Sequence, residues 1–471
     1  MNQVLWAQTI YIAFIIFLVY FLLLVVFYVL LAFFGFLEDK RRSQEHEGES
    51  YPLIYFSNLA IPVSIILPAH NEEEWIRESL LSLLNLNYPA FEVIVVDDGS
   101  IDKTFEILNE MLELKAVDRV YTKHYPEGKV TAIFKSDKYP NVTVMRKTSG
   151  EKKAGAVNAG LNIARHRFVC TMDSDTVLER DALLKIMAHV HRDPERIIGI
   201  GSSFGLVNGF IVKNGTIIKR DCSYRPIIAY QNLEYIRSFI GNRLAWSRFN
   251  ATPIVAGGFG IWRSDILYEL GGYSSDFSSE DLEFTFRGQE YMAKNKEKKY
   301  KIQMMPYYVG WTEGPSDVRS LIKQRDRWQR VVIEGVIKYK HMMCNPRYGT
   351  FAFLVFPYFV FYEVLGVFFE VSSIFLVTVG LITKMVDVKT FLLYLAFMGL
   401  VQLIITLLSL FTFIRGQRVF KMSYILYLIL LSLFEFFSYR VIISIAKLCG
   451  TYHFMLNKRS YDQYTRPKRA T

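Results

Sequence analysis

Four short segments hold the side chains best suited to chemistry. Asp97-Asp98-Gly99-Ser100 closes the apolar run 91–96, and Asp173-Ser174-Asp175 closes the run 168–172. Ser279-Glu280-Asp281 precedes Leu282, Phe284 and Phe286. Gln324-Arg325-Asp326-Arg327-Trp328 joins cationic forks to an aromatic plate about twenty residues before the chain turns strongly apolar.

Each segment has a bland reading and a chemical one. Asp and Gly after a strand commonly make a turn for backbone reasons. The chemical reading of Asp97-Asp98 is carboxylates that accept hydrogen bonds from a nucleotide base or help hold a metal. Asp173 and Asp175 could be a solvated loop. As alternate carboxylates at a strand end they suit Mg²⁺ or Mn²⁺, hard cations that take oxygen ligands and bridge to diphosphates. Lys152-Lys153 opens a helical pattern, either as a solvated basic turn or as cations beside a helix N-terminus that attracts phosphate. Glu280 and Asp281 either favour the dipole of a helix start or supply a general base for a hydroxyl nucleophile. Trp328 is a core aromatic or a surface on which a sugar ring can lie. The polar and charged residues before it weaken the core reading. Arg in that segment can hold a phosphate or carboxylate bidentately.

The surrounding pattern must position these groups. Short apolar runs at 63–67, 91–96, 142–145 and 168–172 read as buried strands. The stretches 73–84, 103–114 and 154–164 between them read as helices. This alternation predicts a doubly wound, mostly parallel α/β sheet with helices on both faces. Such a sheet binds ligands at the carboxyl ends of its strands, where both Asp97-Asp98 and Asp173-Ser174-Asp175 fall. The region 116–140 breaks the pattern and reads as a surface insertion. In 200–303 only a helix near 230–240 and the segment Ala256-Gly257-Gly258-Phe259-Gly260 stand out.

Composition sets the compartment. Residues 1–37 of the 471 carry no charge, so 4–36 is long and apolar enough to cross a bilayer. The start has no basic residue, which argues for an uncleaved anchor. Lys40-Arg41-Arg42 after it place the following residues in the cytosol by the positive-inside rule. The expected organisation is an anchor over 1–40, a linker over 41–61 and a cytosolic domain over 62–345. An interfacial piece and membrane spans follow over 346–448, including 391–414 and 422–443, and a basic tail over 449–471 ends the chain. From residue 447 on, six Lys or Arg face only Asp462, which favours a cytosolic tail, and Glu435 and Arg440 suggest that the last segment re-enters. Four scattered cysteines fit reduced thiols and neither a zinc site nor a disulfide framework. The net charge of +10 suits an anionic leaflet or an anionic substrate, and no nucleic-acid motif accompanies it.

Taken in order, Pro68-Ala69-His70-Asn71-Glu72-Glu73, Asp97-Asp98-Gly99-Ser100, Lys153-Ala154-Gly155-Ala156-Val157-Asn158, Asp173-Ser174-Asp175, Gly257-Gly258-Phe259-Gly260, Ser279-Glu280-Asp281 and Gln324-x-x-Arg327-Trp328 form a set. It resembles the processive membrane-embedded family 2 glycosyltransferases, the group of cellulose, hyaluronan, chitin and poly-N-acetylglucosamine synthases. Ser279 stands where that family has Thr, and no Gly follows the Trp motif. The resemblance implies a cytosolic GT-A domain at the plasma membrane that uses a nucleotide-sugar donor and a growing glycan acceptor. It further implies that Asp97 or Asp98 contacts the base, Lys153 approaches the nucleotide, and Asp173 and Asp175 contact diphosphate and Mg²⁺ or Mn²⁺. Asp281 becomes the general base. Gln324, Arg327 and Trp328 become the acceptor platform and diphosphate contacts. Membrane lipid is an implied partner, with room for accessory export or regulatory subunits. Two rival readings are transfer of one sugar to a lipid carrier and, from another class, a non-catalytic membrane transporter or scaffold built around Glu363, Glu370 and Glu435.

Overall fold

The computed structural model describes residues 2–48, 51–56, 60–150, 152–383, 387–416 and 419–456. Twelve strands run in chain order: β1 Val63–Ala69, β2 Phe91–Asp98, β3 Leu114–Ala116, β4 Val130–Ser136, β5 Val142–Lys147 and β6 Phe168–Thr171, then β7 Thr176–Leu178, β8 Ile197–Leu206, β9 Ile211–Lys213, β10 Thr216–Lys219, β11 Gly260–Arg263 and β12 Lys301–Thr312. Ten of them form one sheet in the order β3-β4-β5-β2-β1-β6-β11-β8-β12-β7, and β9 and β10 form a separate hairpin. The sheet is mixed and mostly parallel, since only β4, β7 and β11 run against the other seven strands.

The apolar strands are buried on both faces, which is why they lack polar alternation. Along β1, Ile65 and Leu67 enter one core and Ile66 the other. The chain steps from β1 to β2 and outward to β5, then returns to lay β6 on the far side of β1. That reversal opens a crevice at the carboxyl ends of β1 and β6, the place where doubly wound sheets bind ligands.

The structure differs from the sequence expectations in several places. The stretch 116–140 holds β4, whose alternation is obscured by an irregularity between Val130 and Ala132. The helix expected over 73–84 begins only at Ile76, and the one expected over 103–114 spans Thr104–Leu112. Leu114 pairs as a strand instead, after Glu113 turns left-handed at φ 51°. In the region that resisted reading, β8 is rich in Gly and Ser because the rings of Trp262 and Trp311 lie against Gly199 and Gly205. The helix near 230–240 spans Pro226–Ile236 and continues as the π-helical segment Arg237–Arg243.

At the N-terminus, one helix spans Asn2–Glu47, so the expected linker is helical through Glu47. Among the described residues two helices, Tyr11–Glu45 and Val388–Arg415, are long and apolar enough to cross a membrane. Two bent pairs raise the number to four if each acts as one span. Phe351–Val364 meets Gly366–Ile382 at 40°, and Met422–Phe437 meets Tyr439–Met455 at 51°. The second bend falls between Glu435 and Arg440, the residues that suggested re-entry. Lys384, Arg418 and residues 457–471 of the basic tail lie outside the described residues.

Candidate active site

The turn from β6 to β7 carries Asp173 and Asp175, and it is closed by Thr176 N–H donating to the Asp173 carbonyl at 3.1 Å. Lys153 reaches this turn from the start of the helix Lys152–Ile163. Its Nζ pairs with Asp173 Oδ1 and, at 2.6 Å, with Glu280 Oε1. Enclosure in the cavity opposes its charge, but Asp173 and Glu280 outweigh that and hold the ammonium well above its ordinary value. Glu280 and Asp281 begin the helix Glu280–Lys294, where negative charge is favoured by the helix dipole. Asp281 is held at both oxygens. The Ser279 hydroxyl and, at 2.7 Å, Leu282 N–H donate to Oδ1, while Gly257 N–H donates to Oδ2 at 3.0 Å. A Cβ on Gly257 would lie 2.8 Å from Lys153 Nζ, so the Gly-rich segment permits this close approach.

The structure separates Asp97 from Asp98. Asp97 is fully buried, pairs with Arg146 at 3.1 Å and accepts from Ser100 N–H at 3.0 Å. Asp98 lines the cavity and pairs with the buried Lys147 at 2.5 Å. His70 Nδ1 meets the Asp98 carbonyl at 2.8 Å and ties the end of β1 to that of β2.

The aromatic segment sits on the helix Val318–Lys338, capped by Asp317, whose Oδ1 accepts from Ser320 N–H at 2.9 Å. Trp328 is 38% exposed and faces the cavity, together with Gln324 and Arg327. Arg325 has a different task. It lies 4.1 Å from the Trp328 ring centroid and pairs with Glu234 at 2.9 Å, which steadies the indole. By contrast, Trp311 is a core aromatic, buried with its Nε1–H donated to Glu179 at 2.6 Å.

Asp98, Lys153, Asp173, Asp175, Glu280, Asp281, Gln324, Arg327 and Trp328 border one cavity of about 1870 Å³, and Asp97 and Lys147 do not. It continues from the sheet into the apolar helices, past Tyr20, Tyr28, Glu363, Glu370 and Lys447. Its polar groups there are paired: Lys447 with Glu363 at 2.8 Å, Ser444 with Glu370, and Arg237 with Glu435 at 2.6 Å.

A divalent cation fits the turn only in part. Asp173 and Asp175 offer hard oxygen donors, but among the described residues no group of three or more His, Cys, Asp or Glu is placed to hold an ion. The donor set therefore suits Mg²⁺ or Mn²⁺ completed by oxygens of a bound substrate and water. Sequence reading passed over Lys147, Glu234 and Arg243. Arg243 left a signal, a cation within the apolar run Phe239, Ile240 and Leu244. The other two act through partners distant in sequence.

Comparison with known proteins bears on this arrangement. Residues 64–267 match the model of glycosyl transferase family 2, and residues 168–438, more than half the chain, match that of glycosyl transferase family group 2. The probable glycosyltransferase YdaM of Bacillus subtilis is 26% identical over 307 residues, 64% of this chain and 63% of that protein. The poly-beta-1,6-N-acetyl-D-glucosamine synthase of Staphylococcus epidermidis is 27% identical over 267 residues, 56% of this chain and 53% of the relative. The chain thus spans less than two thirds of the length of these relatives. Among solved structures, the mannosyltransferase PcManGT of Pyrobaculum calidifontis, in complex with GDP-Man and Mn2+, is similar in fold with a TM-score of 0.52. It is 17% identical, over 93% of this chain and all of that one. The doubly wound sheet with acids at its strand ends is a GT-A fold, and the chain belongs to the family 2 glycosyltransferases.

Proposed function

We propose that this chain is an inverting polysaccharide synthase of the plasma membrane, which adds sugars from a nucleotide-sugar donor to a growing β-linked glycan and passes the product through its membrane helices. The observation that carries this reading is the single cavity running from Asp173 and Asp281 past Trp328 to Tyr20, Glu363 and Lys447. A lipid-linked acceptor would also lie among these helices, so the two readings are separated by the product, a polymer or one lipid-linked sugar. The donor in this reading is a UDP-linked N-acetylhexosamine or hexose, and the poly-beta-1,6-N-acetyl-D-glucosamine synthase relative supports N-acetylglucosamine as its sugar. In this reading residues 62–345 catalyse in the cytosol, and 346–448 join the N-terminal helix in the membrane.

The acceptor hydroxyl attacks the anomeric carbon on the face opposite the nucleotide. Its proton passes to the Asp281 carboxylate, which the Ser279, Leu282 and Gly257 donors hold in position. The bond from the anomeric carbon to the diphosphate oxygen breaks, and the electron pair leaves with the nucleoside diphosphate. Arg327 meets that growing charge, and Lys153 shifts toward it from Asp173 and Glu280. Asp98 contacts the base, and Trp328 supports the terminal sugar. Asp173 and Asp175 would hold Mg²⁺ or Mn²⁺, which supplies charge neutralisation at the diphosphate.

The test is incubation of membranes containing the chain with a panel of radiolabelled nucleotide sugars, followed by product sizing and linkage analysis. A ladder or polymer from one donor is expected. A single lipid-linked sugar would replace this reading with carrier glycosylation, and no transfer from any donor would favour a transporter or scaffold.

A further inference from the structure

Arg243 borders the cavity and has no part in the steps above. It ends the π-helical segment Arg237–Arg243, which packs against both the N-terminal helix and the helix Val388–Gly416. Its guanidinium lies 4.0 Å from the Phe239 ring centroid. Its buried Nη1 has no hydrogen-bond partner, and no carboxylate pairs with it among the described residues. Arg237 Nη1 and Arg325 Nε also lack partners, so the missing carboxylate is what sets Arg243 apart from the paired cations of the cavity. Lys153 has Asp173 and Glu280, Arg325 has Glu234, Arg237 has Glu435, and Lys447 has Glu363. Burial lowers the Arg243 pKa to about 10, and the negative charge nearest in effect is Asp281, which pulls it back up. A buried guanidinium nitrogen carries two N–H donors, and leaving those of Nη1 unmatched is costly unless a ligand supplies acceptor oxygens. The side of the cavity decides which oxygens. Asp173 and Lys153 already pair with each other at the turn assigned to the diphosphate, whereas Arg243 stands on the segment packed against the apolar helices Asn2–Glu47 and Val388–Gly416.

We propose that Arg243 is an acceptor-binding residue. It donates hydrogen bonds to hydroxyl and ring oxygens of the terminal acceptor sugar and turns the attacking hydroxyl toward Asp281. This rests on the synthase reading above and adds a second acceptor contact beside that of Trp328.

Full-length Arg243→Gln and Arg243→Lys, reconstituted in nanodiscs, test the idea. The donor is UDP-N-acetylglucosamine and the acceptor an N-acetylglucosamine tetrasaccharide, both exchanged for the panel's own sugar if wild type prefers another. Arg243→Gln should raise the acceptor KM roughly 10- to 100-fold, the scale of losing hydrogen bonds to a charged group. Donor Kd and slow donor hydrolysis by water should stay unchanged. Arg243→Lys, which keeps the charge and guards against a folding defect, should recover part of the loss. An acceptor KM equal to wild type in both variants overturns the proposal. So does donor Kd weakening in step with elongation, which would make Arg243 a diphosphate contact. Asp281→Asn run in parallel separates the two readings: normal elongation by that variant sinks the catalytic assignment, whereas wild-type behaviour of the Arg243 variants alone sinks only this one.

Discussion

Asp97 and Asp98 share a peptide bond and little else. The strand alternates its faces, so Asp97 turns into the sheet beside Arg146 while Asp98 opens to the cavity over Lys147. Lys147 is buried, and its removal would strand a nearly buried carboxylate. Lys147→Met should therefore cost about 3–5 kcal/mol of stability, the usual penalty for breaking a buried pair, and thermal unfolding in detergent measures it. Asp281 is different in kind, since its two oxygens accept from three donors, and in Asn the amide oxygen can keep the Ser279 and Leu282 donors while the NH2 group gives up only the Gly257 bond. Asp281→Asn should lower transfer by roughly 10²- to 10⁴-fold, the range lost with a general base, while donor binding by calorimetry stays intact. Normal polymerisation by that variant would remove Asp281 from the mechanism.

Helices hold these residues through contacts that reach across the chain. The C-terminal helix Tyr439–Met455 crosses the Trp328-bearing helix at Gly450, where a Cβ would sit 2.6 Å from the Asp326 carbonyl oxygen. His453 pairs with the Asp326 carboxylate nearby, at 2.5 Å. Gly450→Leu should push the two helices apart, tilt Trp328 and reduce elongation more than donor binding. Parallel assays of both steps test this, and equal losses would argue against it. At the other end, the N-terminal helix meets the helix Ala182–Arg192 through Glu38, Arg42, Glu45 and His189. Arg42 Nη1 lies 2.8 Å from His189 Nε2, a contact that a neutral imidazole accepts. Burial, then the Arg42 charge, lowers the His189 pKa to about 4 against 6.5 for a free imidazole, with Glu45, Gln303 and Arg192 completing its surroundings. The unfolded chain takes up that proton first. The contribution of this contact is therefore full above about pH 6.5 and is lost as pH falls toward about 4. Unfolding temperatures across that window should drop for wild type and change less for His189→Gln.

At the scale of the whole molecule, one cavity runs from the sheet into the apolar helices. Ser373 borders its far portion, beside Glu370 and away from Asp173 and Asp281 in the chain's sheet domain. If product leaves by this route, Ser373→Trp should shorten the glycan several-fold and leave donor hydrolysis unchanged. Product sizing by gel decides, and full-length product from the variant would place the exit elsewhere.

The sequence by itself determined the alternating α/β core, the placement of Asp98 and Asp173 at strand ends and the apolar helices at both termini. These are local matters: burial on both faces writes continuous apolar runs, strand ends collect turn residues, and membrane spans need length and apolarity. Only the tertiary structure decided which of two adjacent aspartates faces the cavity, that Arg325 steadies Trp328 while Arg327 stays open to the cavity, and that Arg243 is left unpaired. It alone revealed β4, between the edge strand β3 and β5, and the Gly-rich β8. Those outcomes depend on partners 49 to more than 100 residues away, such as Lys147 for Asp98, Glu234 for Arg325 and Trp311 for Gly205. A local pattern carries no record of which distant side chain will arrive to share a proton, a charge or a ring.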